Sequence, residues 1–76
     1  MNAPKRCRVL IVDNNSDLAL TLIELLKFEA DLEPVGWTAS AAGALKRAAE
    51  LTADVLVLDL SLPDGSGLAV IDQAAA

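Results

Sequence analysis

The sequence predicts an α/β fold, in which helices cover both faces of a parallel sheet. Short aliphatic and β-branched runs alternate along the 76 residues with segments whose apolar residues recur at helical spacing. The last of these runs, residues 55–58, is apolar at every position, which is typical of a strand covered on both faces. Because consecutive parallel strands need a crossover connection, this alternation favours a βαβαβα arrangement in one domain.

The first strand and the first helix are predicted between residues 8 and 30. The run from Arg8 to Asp13 ends at an acid, and the turn-forming residues that follow include Asn15 and Ser16, either of which can cap a helix over residues 16–30. We expect Phe28 to lie in the core. The apolar stripe of this helix is predicted at Leu18, Leu22, Leu25 and Leu26.

The second strand and the second helix are predicted between residues 34 and 52. Pro34 closes the first helical region, and Val35 to Thr38 form a short strand that contains Gly36. Ser40 is the expected cap of a helix over residues 40–52. The apolar stripe of this helix is predicted at Ala41, Ala44, Leu45, Ala48 and Leu51.

The third strand runs from Val55 to Leu58 and ends at Asp59. The loop after it contains Pro63, Asp64 and two glycines, a composition that favours a shaped turn. Residues 68–76 are predicted to form a third helix that the chain end cuts short.

Composition excludes several classes of function. The net charge is -5 and the basic residues are concentrated near the start, so we expect no direct binding to nucleic acid. Cys7 is the only cysteine and the sequence has no histidine, which excludes an internal disulfide, the usual zinc ligands and histidine-activated nucleophiles. The apolar run from Val9 to Val12 is too short for a secretion signal or a membrane span, so we expect a cytoplasmic chain without a membrane segment.

Two strands end in acids, Asp13 and Asp59, and these are the candidate site residues. Ligands of open parallel sheets bind beyond the carboxyl ends of the strands. If the first and third strands are neighbours, their backbones lie about 4.8 Å apart, close enough for both carboxylates to share one Mg²⁺ ion. The alternative is that each acid only caps the helix after it or solvates the end of a strand, and for Asp13 taken alone this alternative is favoured. The pair, together with the shaped turn after Asp59, favours a site.

Two segments resemble a known family, the receiver domains of two-component response regulators. Val9 to Asp13 followed by a helix resembles the acidic corner of that family. Val55 to Asp59, followed by Leu60, Ser61, Leu62 and Pro63 and then by residues 64–68, resembles its phosphoacceptor strand and the loop after it. The resemblance implies a flavodoxin-like sheet with strand order 2-1-3 and makes residues 1–76 a partial receiver domain, with three of the family's five strands and no second domain.

The resemblance also implies roles for single residues. Asp59 would accept a phosphoryl group from a histidine kinase or a phosphotransfer protein. Mg²⁺ would be held by Asp13, Asn14, Asp59 and the backbone carbonyl of Ser61. Asn14 stands where the family usually has a second acid, and an amide oxygen is a weaker ligand for a hard cation. The family's Ser or Thr after strand four and Lys after strand five have no counterpart in these 76 residues.

Two other functions are weighed against the phosphoacceptor. A degenerate receiver would act by contact with a partner or with itself, without phosphorylation, and Asn14 and the missing Lys support it. A small hydrolase of the aspartate-based phosphatase type would need an acid two positions after its nucleophile, where this sequence has Ser61. We therefore expect no enzyme.

Self-association is expected from the third strand. One of its edges has no partner within a three-stranded sheet, and its side chains are aliphatic. Such an edge is prone to pair with another chain. We therefore expect a homodimer or a larger assembly, joined through the edges of the third strand or the faces of the helices, or else a chain that is ordered only when a lattice or a partner holds it.

Overall fold

The structure is a computed structural model that describes residues 6–62 and 65–75. Its elements are β1 Cys7–Val12, α1 Ser16–Leu26, β2 Leu32–Thr38, α2 Ala44–Glu50, β3 Val55–Leu58, β4 Ser61–Leu62, β5 Gly65–Ser66 and α3 Gly67–Ala75. The predicted order is confirmed, and the short antiparallel pair β4–β5 is an addition within the predicted loop. Of the predicted features, the basic residues before Arg6, Pro63 and Asp64 of the loop, and Ala76 at the end of the third helix lie outside the described residues.

The main sheet is parallel and has the order β2-β1-β3, as predicted. β1 is the central strand, and its residues Val9 to Val12 are all buried. A central parallel strand needs apolar residues on both faces, which explains the uninterrupted aliphatic run in β1. Among the described residues, no helix is long and apolar enough to cross a bilayer.

Alternate residues of β1 serve two different faces of the sheet. Leu10 and Val12 pack with Ala44 of α2, with Val70 of α3 and with Leu62, and this cluster is the core of the domain. The opposite face, which carries Val9 and Ile11, is covered by α1, which lies over β1 and β2. The two helix layers therefore sit on opposite sides of the sheet, as a βαβαβ chain requires.

β2 is longer than predicted and includes Pro34. The strand pairs with β1 from Leu32 onwards, and the register shifts between Val9 and Leu10 so that Val35 is the extra residue. Proline lacks a donor N–H and is tolerated in edge strands and at bulges, and β2 is an edge strand with its bulge beside Pro34. Gly36, with φ +153°, adopts a backbone conformation that other residues rarely take.

β3 has the predicted bounds, but the expectation that both of its faces are covered is wrong. Leu56 and Leu58 pack against the core cluster. Val55 and Val57, which point to the other face, are 44% and 41% exposed. Among the described elements, α1 lies mainly over β1 and β2, so β3 is only partly covered on that side.

α1 ends at Leu26 and not at residue 30. The N–H groups of Phe28 and Glu29 donate to carbonyls only three residues earlier, at Leu25 and Leu26, and this tighter turn leads the chain into β2. Phe28 is consequently 85% exposed, so its predicted core position is wrong.

The buried face of α1 is rotated from the predicted stripe. Ala19 is buried, and Leu22, Ile23 and Leu26 are half-buried around it. Leu18 and Leu25 of the predicted stripe are 45% and 57% exposed. The helix therefore carries more apolar surface than this sheet covers.

α2 starts at Ala44 and not at residue 40, and it ends at Glu50. Gly43, with φ +75°, is the cap position, while the hydroxyl of Ser40 donates to the carbonyl of Ala42, 3.3 Å away. Ser40 therefore does not cap the helix. The predicted apolar stripe of α2 is confirmed, because its members pack against the core cluster.

The end of α2 is a Schellman turn with threonine at the left-handed position. The N–H of Ala53 donates to the carbonyl of Ala48 at 2.8 Å, and the N–H of Thr52 donates to the carbonyl of Ala49 at 3.2 Å. Thr52 has φ +52°, which is unfavourable for a β-branched residue.

Arg8 joins this helix end to the sheet. Its Nε and Nη2 atoms donate to the carbonyl of Leu51 at 3.1 and 2.8 Å, where a cation also interacts well with the helix dipole. Its Nη1 donates to Glu33 of β2 at 3.0 Å, and its backbone N–H donates to Asp54 at 2.9 Å. One side chain and its amide thus connect β1 with β2, α2 and the start of β3.

We expect Thr52→Gly to stabilise the fold by roughly 0.5–1 kcal/mol, because glycine adopts the left-handed conformation without a steric penalty. Urea unfolding followed by circular dichroism measures the change. Thr52→Ala is the matched control, since it removes the hydroxyl but keeps the Cβ atom, and it should give no comparable gain. Equal stabilisation by both variants would contradict this explanation.

Candidate functional site

Asp13 and Asp59 emerge side by side at the carboxyl edge of the sheet. Val12 and Leu58 are direct partners in the β1–β3 ladder, so the residues after them leave the sheet at the same level. The N–H of Asp59 donates to the carbonyl of Val12 at 2.8 Å, which continues the ladder up to the acid itself. Adjacent strands lie about 4.8 Å apart, and both aspartates are half-buried. The structure therefore places the two predicted acids at neighbouring backbone positions on this edge.

Each carboxylate is oriented by a backbone amide two residues further on. The N–H of Asn15 donates to Oδ1 of Asp13 at 2.9 Å, and the N–H of Ser61 donates to Oδ1 of Asp59 at 2.9 Å. This is the local turn that aspartate side chains commonly form. It restricts rotation of both side chains, while each Oδ2 offers further lone pairs to a ligand.

Neither aspartate caps a helix. Asn15 is the cap of α1, because its side chain accepts a hydrogen bond from the N–H of Leu18 at 3.1 Å. α3 begins at Gly67, well beyond Asp59. The alternative explanation of the two acids as helix caps is therefore wrong.

The other two predicted ligands lie next to the aspartates. Asn14 follows Asp13 and is exposed, and Ser61 is exposed in β4, two residues after Asp59. Across the described residues, no three His, Cys, Asp or Glu side chains converge, so any cation here would rest on two carboxylates and on neutral oxygens. That donor set suits Mg²⁺, which is usually held by one or two carboxylates and keeps several waters.

Gly67 is a site residue that sequence analysis treated only as part of a turn. A Cβ atom at this position would lie 2.5 Å from the carbonyl oxygen of Asp59 and 2.9 Å from the Cα of Leu60. The N–H of Gly67 also donates to the carbonyl of Leu60 at 3.2 Å. The start of α3 thus packs directly on the backbone that carries Asp59. No local pattern in the sequence indicated this close approach.

Comparisons with known proteins agree with this geometry. Residues 9–75 match the family described as the response regulator receiver domain. The chain is 38% identical over 61 residues to the DNA-binding transcriptional activator DevR/DosR of Mycobacterium tuberculosis, covering 80% of this chain and 28% of that protein. It is 41% identical over 64 residues to protein-glutamate methylesterase/protein-glutamine glutaminase 5 of Myxococcus xanthus, covering 84% of this chain and 18% of that protein.

A solved structure shares the fold. The response regulator domain of Thermotoga maritima CheB superimposes with a TM-score of 0.80 at 27% identity, covering 88% of this chain and 50% of that one. The chain thus spans about half of this solved domain and less than a third of either curated relative.

We expect Gly67→Ala to destabilise the fold by about 1–3 kcal/mol, because the added methyl group must displace backbone atoms of Asp59 and Leu60. Helix propensity alone predicts the opposite sign, since alanine is the better helix former. Urea unfolding shows whether the free energy of unfolding falls or rises in the variant. NMR should place the largest amide shifts at Asp59 and Leu60, and a stabilised variant with unchanged shifts there would contradict the packing.

Proposed function

Since the chain belongs to the response regulator receiver family, we propose that Asp59 accepts a phosphoryl group from a histidine kinase or a phosphotransfer protein. The observation that supports this most is the pairing of Asp13 and Asp59 at the carboxyl edge, in the register set by Val12 and Leu58. Asp59 is the acid of the motif that resembles the family's phosphoacceptor strand. Its Oδ1 atom is held by the N–H of Ser61, which leaves Oδ2 as the nucleophile.

The proposed transfer is a displacement at phosphorus. Oδ2 of Asp59 forms the new P–O bond as the P–N bond of the donor phosphohistidine breaks, and the electron pair of that bond stays on the imidazole nitrogen. The product is an acyl phosphate on Asp59. Because the carboxylate and the phosphoryl oxygens are all negatively charged, the step needs positive charge close to Asp59.

We propose that Mg²⁺ meets this need, held by Asp13, Asn14, Asp59 and the backbone carbonyl of Ser61. When bound, the ion neutralises charge on the transferring phosphoryl group and helps to orient it. Asp13 contributes a carboxylate already oriented by the N–H of Asn15. Asn14 contributes a neutral oxygen where a second acid would give a stronger one.

A second candidate is a receiver that acts by protein contact without phosphorylation. Asn14 favours it, because a weaker cation site would slow phosphoryl transfer. Both candidates concern the receiver alone. The DNA-binding and methylesterase names belong to relatives of which the chain covers 28% and 18%, so neither activity is proposed for this chain.

We expect incubation with acetyl phosphate and Mg²⁺ to add one phosphoryl group, seen by intact-mass spectrometry and mapped to Asp59. Asp59→Asn should abolish the labelling, because an amide is not a nucleophile here although it keeps the shape of the side chain. Asp17→Asn, on the exposed start of α1, is the matched control and should label normally.

The other outcomes of this experiment separate the alternatives. Labelling of a different aspartate would contradict the assignment of Asp59 as the phosphoacceptor. A folded protein that takes up no phosphoryl group supports the contact module, and sustained release of phosphate supports a hydrolase.

We expect Asn14→Asp to lower the Kd for Mg²⁺ about tenfold, because a charged oxygen replaces a neutral one next to a divalent cation. Isothermal titration calorimetry measures the affinity. Asn15→Asp is the matched control, because the side chain of Asn15 faces the N–H of Leu18 and not the site. Equal gains from both variants would indicate a general charge effect and count against ligation by residue 14.

A further inference from the structure

The loop after Asp59 reaches into the hydrophobic core at Leu62. The side chain of Leu62 is only 7% exposed and belongs to the core cluster that includes residues of the central strand β1. The two residues before it, Leu60 and Ser61, are exposed. Among the side chains that the structure describes between residues 60 and 66, Leu62 is therefore the one that attaches this loop to the core.

Ser61, directly before this attachment, carries both backbone groups that the site uses. Its N–H donates to Oδ1 of Asp59 at 2.9 Å, and its carbonyl is the proposed Mg²⁺ ligand. The carbonyl of Ser61 and the N–H of Leu62 belong to one planar peptide unit, which ends at the Cα atom of Leu62. Packing of the Leu62 side chain in the core therefore restricts the position and orientation of the Ser61 carbonyl.

The short hairpin that contains Ser61 needs this burial to keep a fixed position. β4 and β5 pair over only two residues each, Ser61 with Ser66 and Leu62 with Gly65. An isolated two-stranded hairpin is marginally stable at best in water. The backbone pairing gives the loop its local shape, and the buried side chain of Leu62 holds that shape against the sheet.

On the basis of the function proposed for Asp59, we propose that Leu62 is a positioning residue of the phosphoacceptor site. Its packing in the core holds the Ser61 peptide where the N–H orients Asp59 and the carbonyl faces the cation. Residues that orient metal ligands without touching the metal typically change metal affinity about 10–100-fold when they are mutated. Leu62 touches neither the ion nor the phosphoryl group and acts through Ser61 alone.

Leu62→Ala tests this role, with Leu51→Ala as the matched control. Leu51 also packs against the core cluster, but it lies at the end of α2, where its carbonyl accepts hydrogen bonds from Arg8 at the start of β1. Both variants are studied at a temperature at which circular dichroism shows them folded. Leu62→Ala should raise the Kd for Mg²⁺ about tenfold and slow the labelling of Asp59 by acetyl phosphate by a similar factor.

Leu51→Ala should change both quantities by less than about twofold, because its cavity is remote from the site. Equal effects of the two variants, or no effect of Leu62→Ala, would make Leu62 a residue of the core alone and overturn the proposal.

A measurement without metal separates the positioning role from the proposed function. The N–H of Ser61 is hydrogen-bonded to Asp59, so its hydrogen exchange reports the geometry of the loop in the metal-free chain. This exchange should be about tenfold faster in Leu62→Ala and unchanged in Leu51→Ala. If the unmodified chain neither binds Mg²⁺ nor takes up a phosphoryl group, the function proposed for Asp59 fails, while the exchange of Ser61 still tests the positioning role. Unchanged exchange in Leu62→Ala overturns that role.

Two further variants at position 62 complete the test. Leu62→Met keeps the apolar volume, so slow exchange of Ser61 and the original Mg²⁺ affinity should both be retained. If Leu62→Ala does not fold, Leu62→Val leaves a smaller cavity and should change both quantities in the same direction by less. Exchange and affinity that stay unchanged in a folded Leu62→Val, beside an unfolded Leu62→Ala, would also overturn the proposal.

Discussion

The pairing of β1 with both of its neighbours is the constraint on which the rest of the structure depends. β1 is buried over Val9 to Val12 and is hydrogen-bonded in parallel to β2 and β3. Because the β1–β3 ladder has no register shift, Val12 meets Leu58 and the acids after them leave the sheet together. A slip of one residue would turn Val55 and Val57 to the core face in place of Leu56 and Leu58 and would also move Asp59 along the sheet, so the packing of β3 and the position of Asp59 are set by the same contact.

The amino ends and the carboxyl ends of the strands have different roles. At the amino ends of the strands, Arg8 joins the end of α2 to Glu33 of β2, and these hydrogen bonds stabilise the fold. At the carboxyl edge, short loops hold Asp13 and Asp59 through backbone amides, and Gly67 lets α3 approach the Asp59 loop. The two aspartates of the proposed site are thus oriented by backbone N–H groups, which leaves an oxygen of each side chain available to a ligand.

Sequence analysis predicted the order of the main elements, the parallel 2-1-3 sheet and the two acids at its edge, because these follow from local apolar runs and from turn residues. It failed where tertiary position decides the outcome. The buried face of α1 differs from the predicted stripe because leucines occupy more than one face of this helix. Only packing against the sheet decides that Ala19 is the buried residue. The exposure of Val55 depends on where α1 crosses the sheet. The role of Gly67 depends on a backbone approach that no local pattern reveals.

We propose that the β1–β3 register builds one cation site from Asp13 and Asp59. Mn²⁺ favours the same oxygen ligands as Mg²⁺ and is paramagnetic, so titrating it into the ¹⁵N-labelled chain measures proximity directly. The account predicts that the amide signals of residues 13–14 and 59–61 broaden first and together, and that Asp59→Asn weakens the broadening at Asp13. Broadening centred on the acids of α1, or of only one of the two loops, would contradict a shared site.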